Sequence, residues 1–207
     1  MLFLLAACGG ASSEGGASEE GAPSVDQGGT EGGSASPPLP DWTLGTISAP
    51  TTVTGGPVPV ITGLRTGSHP DFDRVTVVLG VATGDPATAD PDRDSGAEAP
   101  PGAGAFPGYR TAYVDRPLHE CGSGRQIDPV GEGWLELRLE PAAAHTEAGE
   151  PTLPGRETAV DGALLRRIYR TCDFEGVVTF VLAVSSPEPF RVFTLPDPPR
   201  VVVDVRR

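Results

Sequence analysis

Lysine and asparagine are absent from this chain, and all 15 of its basic residues are arginine. Arginine, alanine, glycine and proline have GC-rich codons, while lysine and asparagine have AT-rich ones, so the bias reads as a high-GC genome. Positive charge is scarce: 28 acidic residues set the net charge at -13. That balance predicts no basic patch to displace counterions from phosphates, which argues against a nucleic-acid partner. It equally argues against electrostatic docking on anionic lipid headgroups. No segment approaches the length of a transmembrane helix. Helical periodicity is almost missing, which turns attention to strands.

The groups that carry chemistry are also few. The histidines are His69, His119 and His145. A zinc set drawn from His119, Cys121 and His145 lacks any standard ligand spacing. The run Asp90 to Gly96 invites a calcium reading, but the positions needing Gly and a closing carboxylate hold Ser95 and Pro101. There is no G-x-S-x-G nucleophile elbow, and Gly122-Ser123-Gly124 reads as a turn. Asp173 and Glu175 stand two apart at a strand start, a pair that glycoside hydrolysis would need, but two acids near a turn are ordinarily just solvated. No catalytic residue, no metal and no cofactor is expected.

What is abundant is turn material, with 28 Gly and 23 Pro. It is unevenly spread. Residues 9–57 hold few large apolar side chains and no basic residue, so they cannot bury enough surface to offset their ordering entropy. They read as a disordered acidic Gly/Ser/Pro linker with a reach of roughly 40 Å; Trp42, Leu44 and Ile47 are its large apolar groups. Residues 58–207 carry most of the apolar side chains and read as one folded domain, large enough for a real core. Within it, residues 84–105 form a low-complexity insertion.

The N-terminus, Leu5-Ala6-Ala7-Cys8-Gly9, resembles a bacterial lipobox. The resemblance implies that residues 1–8 end a lipoprotein signal peptide and that Cys8 carries the lipid. Two or three acyl chains would anchor the protein stably. Because no Arg or Lys precedes Cys8 and the apolar run is short, the true start is expected upstream of Met1. The even pair left over, Cys121 and Cys172, reads as one disulfide in an exported protein.

Period-2 alternation marks the strands. Gly63 to Gly80 reads as a strand end, a polar turn and a second strand. Val58 to Arg65 is the first strand, with Val58, Val60, Thr62 and Leu64 on one side. Asp73 to Val81 is the second, with Val75, Val77 and Leu79 inward. Further strands are expected at Tyr109–Val114, Trp134–Glu140, Leu164–Thr171 (with a short helix from Asp161 as the alternative), Gly176–Val184, Phe190–Leu195 and Arg200–Val205. Residues 117–133 and the stretch after Pro141 read as loops. Gly176–Val184 is apolar on both faces, which predicts a central strand covered on both sides. Ser185 to Pro189 is expected to close a hairpin onto the strand beginning at Phe190. The sum is an all-β fold: an antiparallel β-sandwich of about seven to eight short strands behind a disordered N-terminal tether.

The strand led by Asp73-Arg74-Val75 and the closing Pro199-Arg200-Val201-Val202-Val203-Asp204-Val205 resemble the AMIN-like domain of lipoproteins from high-GC Gram-positive bacteria, a relative of the AMIN domain of cell-wall amidases and secretins. Arg65-Thr66-Gly67 with His69 and Phe72, Pro107-Gly108-Tyr109-Arg110, Pro141-Ala142 with His145, Asp173-Phe174-Glu175-Gly176 and Pro189-Phe190-Arg191-Val192 add to it. The resemblance implies a non-catalytic, lipid-anchored module on the outer face of the cytoplasmic membrane that recognises peptidoglycan or a wall polymer. The alternatives are an adaptor that positions another envelope protein and, third, an envelope hydrolase. No amidase or secretin region accompanies the domain here.

Any ligand surface is expected at the strand-end loops that carry Arg65, His69, Tyr109, Arg110 and His145, where Arg can fork onto carboxylates and Tyr109 can stack on a sugar. Arg74 and Asp204 are expected to pair across neighbouring strands.

Overall fold

The computed structural model describes residues 38–80 and 105–207. Cys8, residues 9–37 of the linker and residues 84–104 of the insertion lie outside the described residues. What is described is all β, with antiparallel pairing throughout its sheets. One sheet has six strands in spatial order β1 (Ile47–Ala49), β4 (Gly108–Tyr113), β7 (Gly133–Glu140), β10 (Val177–Val184), β9 (Leu165–Phe174) and β8 (Glu157–Ala159). The other has four: β11 (Phe190–Pro196), β12 (Pro199–Arg206), β3 (Phe72–Gly80) and β2 (Val60–Ser68). A two-stranded ribbon, β5 (Leu118–His119) and β6 (Gln126–Ile127), stands apart.

Alternation decides the packing. Leu135, Leu137 and Leu139 of β7, Val75, Val77 and Leu79 of β3, and Val201, Val203 and Val205 of β12 all turn into one core. Phe180 and Leu182 fill it from the central strand β10, and Phe190 and Val192 from the edge strand β11. Such a layer of interdigitated side chains is what holds two sheets face to face. β10 lies between β7 and β9 and is buried on both faces, as its doubly apolar sequence requires. Its outer cover is the loop before β7. Leu118, Ile127 and Trp134 pack there with Tyr169, Val181 and Ala183 in a second, smaller apolar cluster. A Cys121–Cys172 disulfide ties this loop to β9, and Cys121 N–H donates to Thr171 O nearby.

The structure departs from the sequence reading in several places. Short strands interrupt the segments read as loops, β5 and β6 within 117–133 and β8 in the stretch after Pro141, because two or three residues are too few to show alternation. The linker does not extend to residue 57. Thr43 bridges to Phe190, and Ile47–Ala49 adds an edge strand on Thr111, Arg110 and Tyr109. Low apolar content hides such a segment, because what orders it is borrowed from residues far along the chain. The inward face of the first strand is not Val58, Val60, Thr62 and Leu64. A register shift between Ile61 and Gly63 lets Ile61 and Leu64 both meet the core, which is what a β-bulge does to alternation.

Ser185 to Pro189 does not close a hairpin. β10 and β11 belong to different sheets, so the segment crosses the sandwich. The Tyr113 hydroxyl pins it, donating to Glu188 O at 2.7 Å and accepting from Glu188 N–H at 2.9 Å. The true hairpin is β9–β10, whose two-residue turn has Glu175 at φ 51° and Gly176 at φ 74°, the positive values such a turn demands.

Candidate functional site

Alternation on the four-stranded sheet leaves a second set of residues facing away from the core. The register places Arg191, Asp204, Arg74 and Gly67 in one row across β11, β12, β3 and β2. The next row holds Phe193, Val202, Thr76 and Arg65, and the one beyond it Leu195, Arg200, Val78 and Gly63. Arg206 lies across from Phe72. Five arginines and one carboxylate therefore share one outer face.

Asp204 is 0 % exposed and organises that face. Arg74 forks onto it, Nε to Oδ1 at 2.6 Å and Nη2 to Oδ2 at 2.9 Å. Arg191 donates from Nε to Oδ2 at 2.9 Å, and its Nη2 stands 2.8 Å from the same oxygen as an ion pair. A buried carboxylate needs this much compensation, and paired guanidinium forks supply it. One anion cannot balance two cations, so the cluster stays positive.

Aromatic rings sandwich the guanidinium planes. Arg191 lies 4.3 Å from the Trp42 ring centre, 5.3 Å from Phe72 and 5.9 Å from Phe193. Arg74 lies 5.0 Å from Phe72 and 5.4 Å from Phe193. His69 stacks on Phe72 with ring centres 4.4 Å apart. The turn that brings His69 there is closed by its N–H donating to Phe72 O. Together these gather rings and delocalised cations on one face of a protein of net charge -13, with the Trp42 and Phe72 rings tilted 50° to each other and Arg191 buried between its partners. The expectation of no basic patch is thereby corrected for this face: its arginines are scattered from position 65 to 206, and only the register gathers them.

The residues expected to bind ligand do not come together. Arg65 is exposed on this outer face and His69 is at its rim. Tyr109 and Arg110 lie on β4 in the other sheet and point to opposite faces. Tyr109 packs on the core, and burial pushes its phenol above the ordinary range. Arg110 is exposed, directly across from Arg138.

His145 is engaged elsewhere, its Nδ1 2.9 Å from Asp173 Oδ1. Asp173 also accepts from Ala144 N–H at 3.0 Å and from Arg170 Nη1 at 3.2 Å. Glu175 sits in the exposed β9–β10 turn, away from this cluster. His119 is exposed on β5, and Cys121 is in the disulfide. Among the described residues, no group of three His, Cys, Asp or Glu side chains could hold a metal ion. Nor is any described helix long and apolar enough to cross a membrane.

Sequence reasoning passed over Trp42, Phe72, Arg191 and Phe193 as a site. The available signal was that Arg191 and Phe193 share a parity on one strand and Phe72 and Arg74 on another. Pairing the two strands through β12 was the missing step.

The family model of the AMIN-like domain matches residues 99–207, just over half of the chain. That range holds β4 to β12, while β1 to β3 precede it. No curated protein and no solved structure matches.

Proposed function

The chain belongs to the AMIN-like domain family, and from that we propose that it is a non-catalytic module that binds the cell wall through the outer face of its four-stranded sheet. Modules of this family are associated with wall binding and with an extracytoplasmic location. The observation that carries the reading is one outer face on which the exposed Arg65 and Arg206 and the partly exposed Arg74 and Arg200 surround the buried Arg191, with Trp42, Phe72 and Phe193 against Arg74 and Arg191. Guanidinium groups fork onto the carboxylates of wall peptides and the phosphates of wall polymers. Flat rings stack on sugars through their faces. Lipidation of Cys8 belongs to the same proposal: it would hold the domain at the outer face of the cytoplasmic membrane, with the N-terminal segment as its tether.

Co-sedimentation with purified sacculi tests the wall reading. Wild-type protein is expected to pellet and to be released as salt rises. The Arg206→Glu, Arg65→Glu double variant, changed at exposed positions, is expected to lose at least tenfold in retention. Equal retention of the variant would remove this face as the site, and no retention of wild type at moderate salt would point to a protein partner instead. Incorporation of labelled fatty acid, expected for wild type and lost in Cys8→Ala, tests the anchor.

A further inference from the structure

The sandwich is open between two edge strands. A cleft of about 230 Å³ enters between β2 on one sheet and β8 and β9 on the other, under the loop 152–156. Leu64, Ile168 and Phe180 make its apolar wall, and Thr158, Arg156 and Arg170 its polar one.

Arg170 is the unusual member. It is directly across from Phe180, whose side chain is in the core, so it points between the sheets. A register shift at Thr171 places Asp173 on that same inner side, three positions along. Without the bulge, alternation would send the two to opposite faces. Arg170 is 9 % exposed. The hydrogen bonds its side chain donates, to Ala144 O and Asp173 Oδ2, both start from Nη1 at 3.2 Å, while its backbone N–H donates to Arg156 O at 2.7 Å. Its Nε is buried and has no partner. A buried donor left unsatisfied is costly and uncommon, and calls for an account.

The surrounding charge gives one. Burial pushes the ionisation of Arg170 down, Asp173 pushes it up, and the Arg156 guanidinium pushes it down again. Arg156 is therefore close enough to add its own positive charge. The carboxylates near this pair are shared. Asp173 also serves His145, and Glu120 bonds Arg125 while standing 3.8 Å from Arg156. Two cations remain incompletely neutralised beside an apolar wall. An inorganic anion would leave that wall wet, and an apolar solute would leave the cations unmet. The volume is below that of clefts that hold drug-sized ligands, which limits the occupant to a few carbon atoms.

We propose that this cleft binds a small terminal carboxylate on a short apolar stem, with the oxygens on Arg170 and Arg156 and the stem against Leu64, Ile168 and Phe180. Such a group occurs in free short-chain acids and at the C-terminus of a peptide that ends in a small residue.

The test is an NMR titration of the full chain with butyrate and with N-acetyl-alanylalanine, each against its neutral amide. The expected result is saturable shifts at the amides of Leu64, Leu153, Gly155 and Arg170, with the neutral amides at least tenfold weaker. Tighter binding of butyrate assigns the free acid as the source, and tighter binding of the dipeptide assigns the chain terminus. Equal binding of acid and amide, or shifts that do not saturate, would overturn the proposal. Arg170→Met also removes the hold on Asp173 and Ala144, so a variant at the exposed rim is the safer one. Arg156→Gln should weaken carboxylate binding severalfold, and unchanged affinity would count against the site. The outer-face variant Arg206→Glu should bind carboxylates normally, so failure here is separable from failure of wall binding.

Discussion

The two sheets share one core and present opposite outer faces. On the six-stranded sheet, Tyr169, Val181 and Ala183 are covered by a loop bearing Leu118 and Ile127 and clamped by the Cys121–Cys172 disulfide. On the four-stranded sheet no second apolar cluster forms among the described residues. Its outer face carries the Arg74–Asp204–Arg191 cluster and the rings around it, with Arg65 and Arg206 exposed beside them. Each face even carries one tryptophan with a guanidinium 4.3 Å from its ring, Arg116 over Trp134 and Arg191 over Trp42. Trp134 also donates from Nε1 to Val130 O and lies against the covered cluster. Apolar packing is concentrated on the covered face, and the recognition we propose is assigned to the other, open one. A sandwich can keep both because each outer face is independent of the core between them.

Removing the clamp breaks the comparison most strongly. The disulfide joins residues 51 positions apart, and the loop-entropy account makes such a bridge worth about 4 kcal/mol. The Cys121→Ser, Cys172→Ser double variant should lose that much in urea unfolding. It should also bind a hydrophobic dye, because the cover over Val181 and Ala183 loosens. Sacculus retention of the folded fraction should not change. A normal urea midpoint would show that the loop packs without its bridge.

Asp204→Asn is the matching change on the open face. It leaves two guanidinium groups around a neutral amide, and breaking a buried ion pair from one side costs about 3 kcal/mol. Dye binding should stay low here, since no apolar layer is uncovered. An Asp204→Asn variant as stable as wild type would mean that the aromatic rings alone hold the arginines.

The covered face was easier to read from the chain than the open one, and the reason is geometric. Leu135, Leu137 and Leu139 announce their face through local alternation. The doubly apolar run Val177–Val184 requires cover on both sides wherever its neighbours lie. The pairing of Arg74 with Asp204 was legible because both sit at the same parity on edge-to-edge motifs. Trp42 was not, because its partner Arg191 is far along the chain and nothing local orders residue 42. Arg170 and Asp173 were not either: a bulge puts them on one face, and a bulge leaves no mark in a polar pattern. The crossing at Ser185–Pro189 carries ordinary turn residues, which say that the chain bends but not which sheet it enters.

Acid sharpens the contrast through a carboxylate that belongs to the core side of the open sheet. Asp73 is buried, and burial alone would raise its pKa. The Leu165 N–H, the Arg207 guanidinium, the Leu164 N–H and the Ser68 hydroxyl outweigh that and bring it from 3.8 to about 2. The folded value lies below the unfolded one, so the unfolded chain binds the proton first as pH falls. The stabilisation is full above about pH 5 and is lost as pH drops through 2, amounting to about 2 kcal/mol. Wild type should therefore lose its advantage over Asp73→Asn steadily between pH 5 and 2, and a pH-independent gap would refute the assignment.

The smallest stability effect belongs to Trp42, and it carries the most information. Its ring is half-buried and rests on one guanidinium and, 6.1 Å away, on Phe72. An exposed contact of this kind contributes about 1 kcal/mol. Trp134→Ala should cost more, because the same stack is backed by apolar burial. If the open face is the recognition surface, the order reverses in sacculus binding: Trp42→Ala loses retention by several fold while Trp134→Ala, measured on its folded fraction, retains it. Should both variants fall in proportion to stability, the open face's cluster is only a lid on the sheet, and the division of labour between the two faces does not exist.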